Sequence, residues 1–183
     1  MVLVDTARRR LHERGLDRYG YVTTRDAQQV GVAPVELRKI AHRGGVEHVA
    51  YGLYRFEDVP RTGKDELIEA VLRVGDEAYL THDAVLALHD LALVNPRRIR
   101  VGTPKRVRPK LPVFVQMIRR QLEPEELTVY EGIPSTTVAR ALHDCIGVVM
   151  VERLVEATRE ATRRGLVNED EAQRALAELG ASQ

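Results

Sequence analysis

The 183-residue chain contains one cysteine, no tryptophan, two phenylalanines and only 4 lysines among its 28 basic side chains. A lone Cys145 excludes an internal disulfide and any CxxC-type zinc site, fits a reducing compartment, and reads most simply as a small buried hydrophobe. No run of about 18 apolar residues is present to span a bilayer. The opening MVLVDTARRRL also lacks the apolar stretch that a signal peptide carries after its basic residues, so the expected location is the cytoplasm. No GxSxG elbow, Walker loop or HExxH helix occurs, and no cofactor is expected. The scarcity of lysine leaves 24 arginines to carry the positive charge. Two explanations stand side by side: GC-rich coding, or the suitability of guanidinium for phosphate and base contacts.

What the chain has is an uneven distribution of charge. Its net charge of +1 conceals +2 over residues 1–58, −4 over 59–96, +9 over 97–120 and −6 over 121–183. A near-neutral total therefore restricts any polyanion-binding surface to a local patch.

The N-terminal third reads as three helices and a hairpin. A first helix is expected over about Asp5 to Glu13, ended by Gly15. In VTTRDAQQVG, Thr23 precedes Asp26 by three positions, the spacing of a capping box for a second helix that Gly31 stops. Pro34 supplies the fixed φ favoured at a helix start, a third helix runs to about Arg43, and Gly44 breaks it. Ala27, Gly31, Leu37 and Ile40 have the spacing of a helix-turn-helix, with alanine allowing close packing and the later apolar residues plugging the third helix onto the others. Asp26 departs from that pattern, since an apolar residue is usual there; capping takes precedence over packing. VEHVAYGLYRF alternates around Gly52 as two short strands do. Three helices followed by a two-stranded wing give a winged helix over residues 1–58, and DVPRTGK, Asp58 to Lys64, reads as a linker.

If Leu37, Ile40 and Ala41 face inward, then Val35, Glu36, Arg38, Lys39, His42 and Arg43 lie on the outer arc of the third helix, placed for base edges and phosphates. Thr23, Thr24 and Arg25 at the start of the second helix are candidate phosphate contacts, and His48 and Arg55 are candidate wing contacts. The competing reading is a charged but idle surface helix.

Residues 64–183 read as a mixed α+β domain. DELIEAVLRVG and LTHDAVLALHDLAL, the latter capped by Thr81, are expected helices. RRIRV, VFVQMI and LTVYEGI are expected strands. Three helices follow, the first capped by Thr136 or Thr137 and the last by Asn168. The whole chain is thus expected to be α+β: a winged helix-turn-helix followed by a mixed domain.

The segment YVTTRDAQQVGVAPVELRKIAHRGGVEHVAYGLYRF resembles the N-terminal domain of the AbiEi family of antitoxins, through Thr23, Thr24, Gly31, Gly52, Leu53, Tyr54 and Arg55. YLTHDAVLALHDL and EGIPSTTVARALHD resemble that family's C-terminal domain more softly, so the likeness covers nearly the whole chain. The resemblance implies an antitoxin of a type IV toxin-antitoxin pair. Such a protein represses its own operon by binding inverted repeats in double-stranded operator DNA and counteracts a nucleotidyltransferase-fold toxin encoded alongside. The runner-up is a winged-helix regulator with no toxin partner.

The run from Arg97 to Arg120, including Arg106, Arg108 and Lys110, either extends the DNA footprint, forms a solvated loop, or meets an acidic patch on the toxin. Three His-Asp dipeptides, His82-Asp83, His89-Asp90 and His143-Asp144, raise the weaker alternative of a metal-dependent phosphohydrolase. Ser135, Thr136 and Thr137 read as a turn into a helix cap rather than as nucleophiles. The expected protein is not an enzyme.

Overall fold

The computed structural model describes residues 6–91, 97–106 and 111–180. The chain is α+β and divides into two compact units, residues 1–73 and 74–183.

The first unit opens with α1, Ala7–Leu16, whose first turn is capped by the Thr6 side chain. It runs past the expected stop because Gly15 is a packing residue. A Cβ there would stand 3.2 Å from the Gly20 carbonyl oxygen and 3.3 Å from Val22, so the missing side chain lets α1 lie against the next strand. That strand, β1 (Tyr21–Thr23), leads into α2 (Thr24–Gln29), α3 (Pro34–His42), β2 (Val46–Ala50) and β3 (Leu53–Phe56). The three strands form an antiparallel sheet in the order β1-β3-β2. Leu11, Val22, Ala27, Val32, Leu37, Ile40, Val46, Tyr54 and Phe56 fill the space between helices and sheet. Burial of these side chains, about 1.5–3 kcal/mol for each Leu, Ile, Val or Phe, is the main stabilising term. The order of elements is that of a winged helix.

The expected linker is not a boundary. Helix α4, Asp65–Val74, belongs almost entirely to the first unit. Three polar ties hold it there: Arg55 to Asp65 at 3.0 Å, Tyr21 Oη donating to Glu69 at 2.8 Å, and Arg73 donating to the Val49 carbonyl at 3.1 Å. Burial first, then the bond to Glu69, raises the Tyr21 phenol well above its ordinary pKa.

The second unit contains β4 (Tyr79–Leu80), α5 (Asp83–Leu88), β5 (Ile99–Thr103), β6 (Val115–Arg119), β7 (Leu127–Tyr130), β8 (Ile133–Thr136), α6 (Val138–Asp144), α7 (Val151–Arg163) and α8 (Glu169–Glu178). Its sheet runs β6-β5-β4-β8-β7, with β4/β8 and β5/β6 parallel and the other pairs antiparallel. LTVYEGI is therefore not one strand but a strand and a turn, with Glu131 and Gly132 at φ 48° and 78°. IPST is a strand rather than a turn, and Thr137 caps α6. Thr81 is not the cap of α5; His82 holds that place with φ 56° and no side-chain bond to the helix. Asn168 caps α8 in a capping box with Glu171. On α7, Leu154, Ala157, Thr158 and Ala161 are buried at helical spacing. At the sheet, the Tyr79 ring lies over Gly102, where any Cβ would meet it at 2.2 Å, and the phenol donates to the Arg120 carbonyl at 2.9 Å.

Candidate nucleic-acid interface

The candidate interface is built by the turn that joins α2 to α3. Thr23 and Asp26 form the expected capping box: the Thr23 hydroxyl accepts from the Asp26 N–H at 3.0 Å, and the Asp26 carboxylate accepts from the Thr23 N–H at 2.9 Å. Asp26 is buried, and its second role replaces the usual apolar packing. Arg14 at 3.3 Å and Arg18 at 3.1 Å pair with it, so the carboxylate ties α1 and the α1–β1 turn to α2. Gly31 then adopts φ 71°, and the Val32 N–H donates to the Ala27 carbonyl at 2.7 Å, which closes the turn over the fully buried alanine.

This turn sets the rotation of α3. Leu37 and Ile40 are buried, Ala41 is half-buried, and Val35, Arg38, Lys39, His42 and Arg43 are exposed. Lys39 lies 3.7 Å from Glu36 on the same surface. His42 and Arg43 sit at the helix C-terminus, where positive charge is favoured by the peptide dipoles. The Arg8 guanidinium donates to the Gly44 carbonyl at 3.0 Å and packs over Phe56, pinning the end of α3 to α1. The outcome is a convex helical face with three exposed cations and an exposed imidazole, seated on an apolar base.

Three of the expected contacts do not stand free. Arg55 is 2% exposed and points inward. Its guanidinium donates to Asp65, to the Val59 carbonyl at 2.9 Å and to the Phe56 carbonyl at 3.2 Å, and it lies over the Tyr21 ring. It is a core ion-pair member and not a wing contact. The Thr23 hydroxyl donates to Asp26 at 2.7 Å, and that of Thr24 donates to the Gly52 carbonyl at 3.1 Å. With their protons committed, neither hydroxyl is a donor for phosphate. What Thr24 does is join the wing to α2: its N–H also donates to Gly52, at 2.9 Å. Arg25 is exposed at the start of α2. His48 is exposed on β2 with its ring 4.9 Å from that of Tyr54. At the tip of the wing Tyr51 is 98% exposed, a residue the sequence reading passed over because only its place in the turn exposes it.

In the second unit the basic run is partly neutralised. Arg100 pairs with Asp83 at 2.6 Å, Lys105 with Glu77 at 2.6 Å and Arg120 with Asp144 at 2.9 Å, whereas Arg97, Arg98, Arg106 and Arg119 are exposed. Arg108 and Lys110 lie outside the described residues.

The His-Asp dipeptides are dispersed into separate tasks. Asp83 serves Arg100, the His89 ring packs 4.0 Å from that of Tyr130, and His143 pairs with Glu178 at 2.7 Å. Asp144 receives Arg120, Arg140 and the Thr81 hydroxyl. Burial lowers the His82 pKa. Among the described residues no three His, Cys, Asp or Glu side chains gather as metal ligands would, and no helix there is long and apolar enough to cross a membrane.

No family model matches the chain, and neither does any curated protein. Among solved structures it is similar to the crystal structure of the RV2827C protein from Mycobacterium tuberculosis, at 16% identity and a TM-score of 0.43 over 95% of this chain and 82% of that one. The reading of the interface therefore rests on the residues described above.

Proposed function

We propose that this chain is a DNA-binding antitoxin of the cytoplasm. It docks α3 in the major groove of double-stranded operator DNA, represses its own operon, and counteracts a nucleotidyltransferase-type toxin encoded beside it. The observation that carries the DNA-binding reading is the fixed rotation of α3, which buries Leu37 and Ile40 and turns Arg38, Lys39, His42 and Arg43 outward. Arginine reads guanine through two hydrogen bonds, and the remaining cations suit phosphates. The wing offers His48 and Tyr51 rather than a guanidinium, so its contribution is contact with groove surface more than charge neutralisation. The antitoxin half rests on the likeness of the quoted segments to the AbiEi family. The reading assigns binding and no catalysis.

A mobility-shift titration of the full chain against its own upstream DNA tests it. Specific sites typically win by about 10³ or more over random duplex at ~0.15 M salt; no preference would remove the autorepressor. Rescue of growth arrested by a toxin encoded next to this gene supports the antitoxin role. Its failure, with DNA preference intact, would leave a winged-helix regulator.

A further inference from the structure

The sheet of the second unit ends at β7, which among the described residues pairs with β8 alone. The two-residue turn at Glu131 and Gly132, with both φ positive, closes Tyr130 directly against Ile133. In such a hairpin the backbone groups of Tyr130 and Thr128 face β8, and the Thr137 N–H bond to the Glu126 carbonyl at 2.9 Å continues the same phase. The Val129 N–H and the carbonyls of Leu127 and Val129 therefore point outward from the sheet, while the Leu127 N–H donates to the Pro124 carbonyl in the turn before the strand. Their side chains are 37% and 64% exposed and help line a groove of about 600 Å³ together with Tyr79, Leu122 and Pro134. β7 carries neither the lysine nor the proline that commonly shields a sheet edge.

Charge decides what fits there. Residues 121–137 hold four glutamates and no basic residue, and Arg140 answers one of them, Glu126, at 2.8 Å. Pairing with a second copy would set two such acidic runs side by side, which like-charge repulsion opposes. We propose that β7 is a docking edge for an extended segment of a partner protein in which apolar residues alternate with lysine or arginine. The segment adds as a sixth strand: its backbone bonds to both groups of Val129 and to the Leu127 carbonyl, its apolar side chains enter the groove, and its cations answer the acidic run. This interface is independent of the DNA-binding reading.

The test uses the full chain and a synthetic capped Lys-Val-Lys-Val-Lys-Val peptide, with a Glu-Val counterpart as control, read by amide hydrogen exchange. The lysine peptide is expected to protect the Val129 amide, the control is not, and added salt should weaken the effect. Val129→Pro removes that N–H, which faces away from β8, and should abolish binding of the labelled lysine peptide in fluorescence anisotropy. Glu125→Lys tests charge without touching the ladder or the Glu123–Glu126 capping box and should weaken binding about threefold, the size of one surface charge pair. Absence of protection, equal protection by both peptides, or peptide-free protection that grows with protein concentration, which would mark a second copy, overturns the proposal.

Discussion

Arg55 and Asp65 form an ion pair at 3.0 Å in which the side chains are only 3% and 6% exposed. It binds the last strand of the wing to the start of α4. Removing one member of such a pair leaves an uncompensated buried charge, at a cost of roughly 3–5 kcal/mol. Asp65→Ala and Arg55→Ala should both lower the unfolding midpoint of the first unit sharply in denaturant titration. If Arg55 instead served DNA, Arg55→Ala would keep wild-type stability and lose affinity.

Arg38 makes the opposite prediction. It is exposed on α3 and makes no hydrogen bond or ion pair among the described residues, so Arg38→Ala should leave stability within about 0.5 kcal/mol of wild type. On operator DNA it should cost about 1–3 kcal/mol, and far less on random duplex. Equal losses on both DNAs, measured by fluorescence anisotropy, would make Arg38 a phosphate anchor.

For Arg106, exposed in the second unit, a DNA role requires that Arg106→Ala weaken binding to all sequences alike and lower the salt slope by about one unit. An unchanged slope would remove it from the interface.

Gly102 is held by the Tyr79 ring above it. Gly102→Ala forces the ring aside and strains its bond to the Arg120 carbonyl, so the second unit should lose about 1–3 kcal/mol while DNA affinity stays unchanged. Calorimetry reads the first and a binding titration the second.

His82 and Cys145 report on burial in the same unit. Burial lowers the His82 pKa below its ordinary 6.5, so the unfolded chain takes up a proton before the folded one does. The stability involved is fully present above pH 6.5 and is lost as pH falls through the folded-state value; His82→Gln should flatten that slope in a melting series. Cys145 is fully buried and its thiol is pushed up to about 12, so labelling by a thiol reagent should be slow in the native protein and prompt on unfolding. Prompt labelling at neutral pH would contradict that burial.

What could be read from the sequence was local. Thr23 and Asp26 cap α2, and Ala27, Gly31, Leu37 and Ile40 set the rotation of α3, because each relation spans a turn or two of helix. Arg55 was misread because its partner lies ten residues on, beyond a stretch whose proline and glycine imitate a linker. β1, at three residues, and β8, which contains Pro134, are too short for a period to show; β1 exists through pairing with the distant β3, and β8 joins its hairpin partner β7 to the distant β4. The inward-pointing Gly15 has the same cause: a glycine kept for close packing looks, in sequence, like one kept to stop a helix.

The ties that hold α4 to the wing also decide where this protein can be cut and recombined. A chimera joined at residue 58 would carry a guanidinium into its interior with no carboxylate to meet it, and a Tyr21 hydroxyl with no acceptor. The portable module is residues 1–73, and its natural seam falls at the end of a helix that looks in sequence like the opening of the next domain.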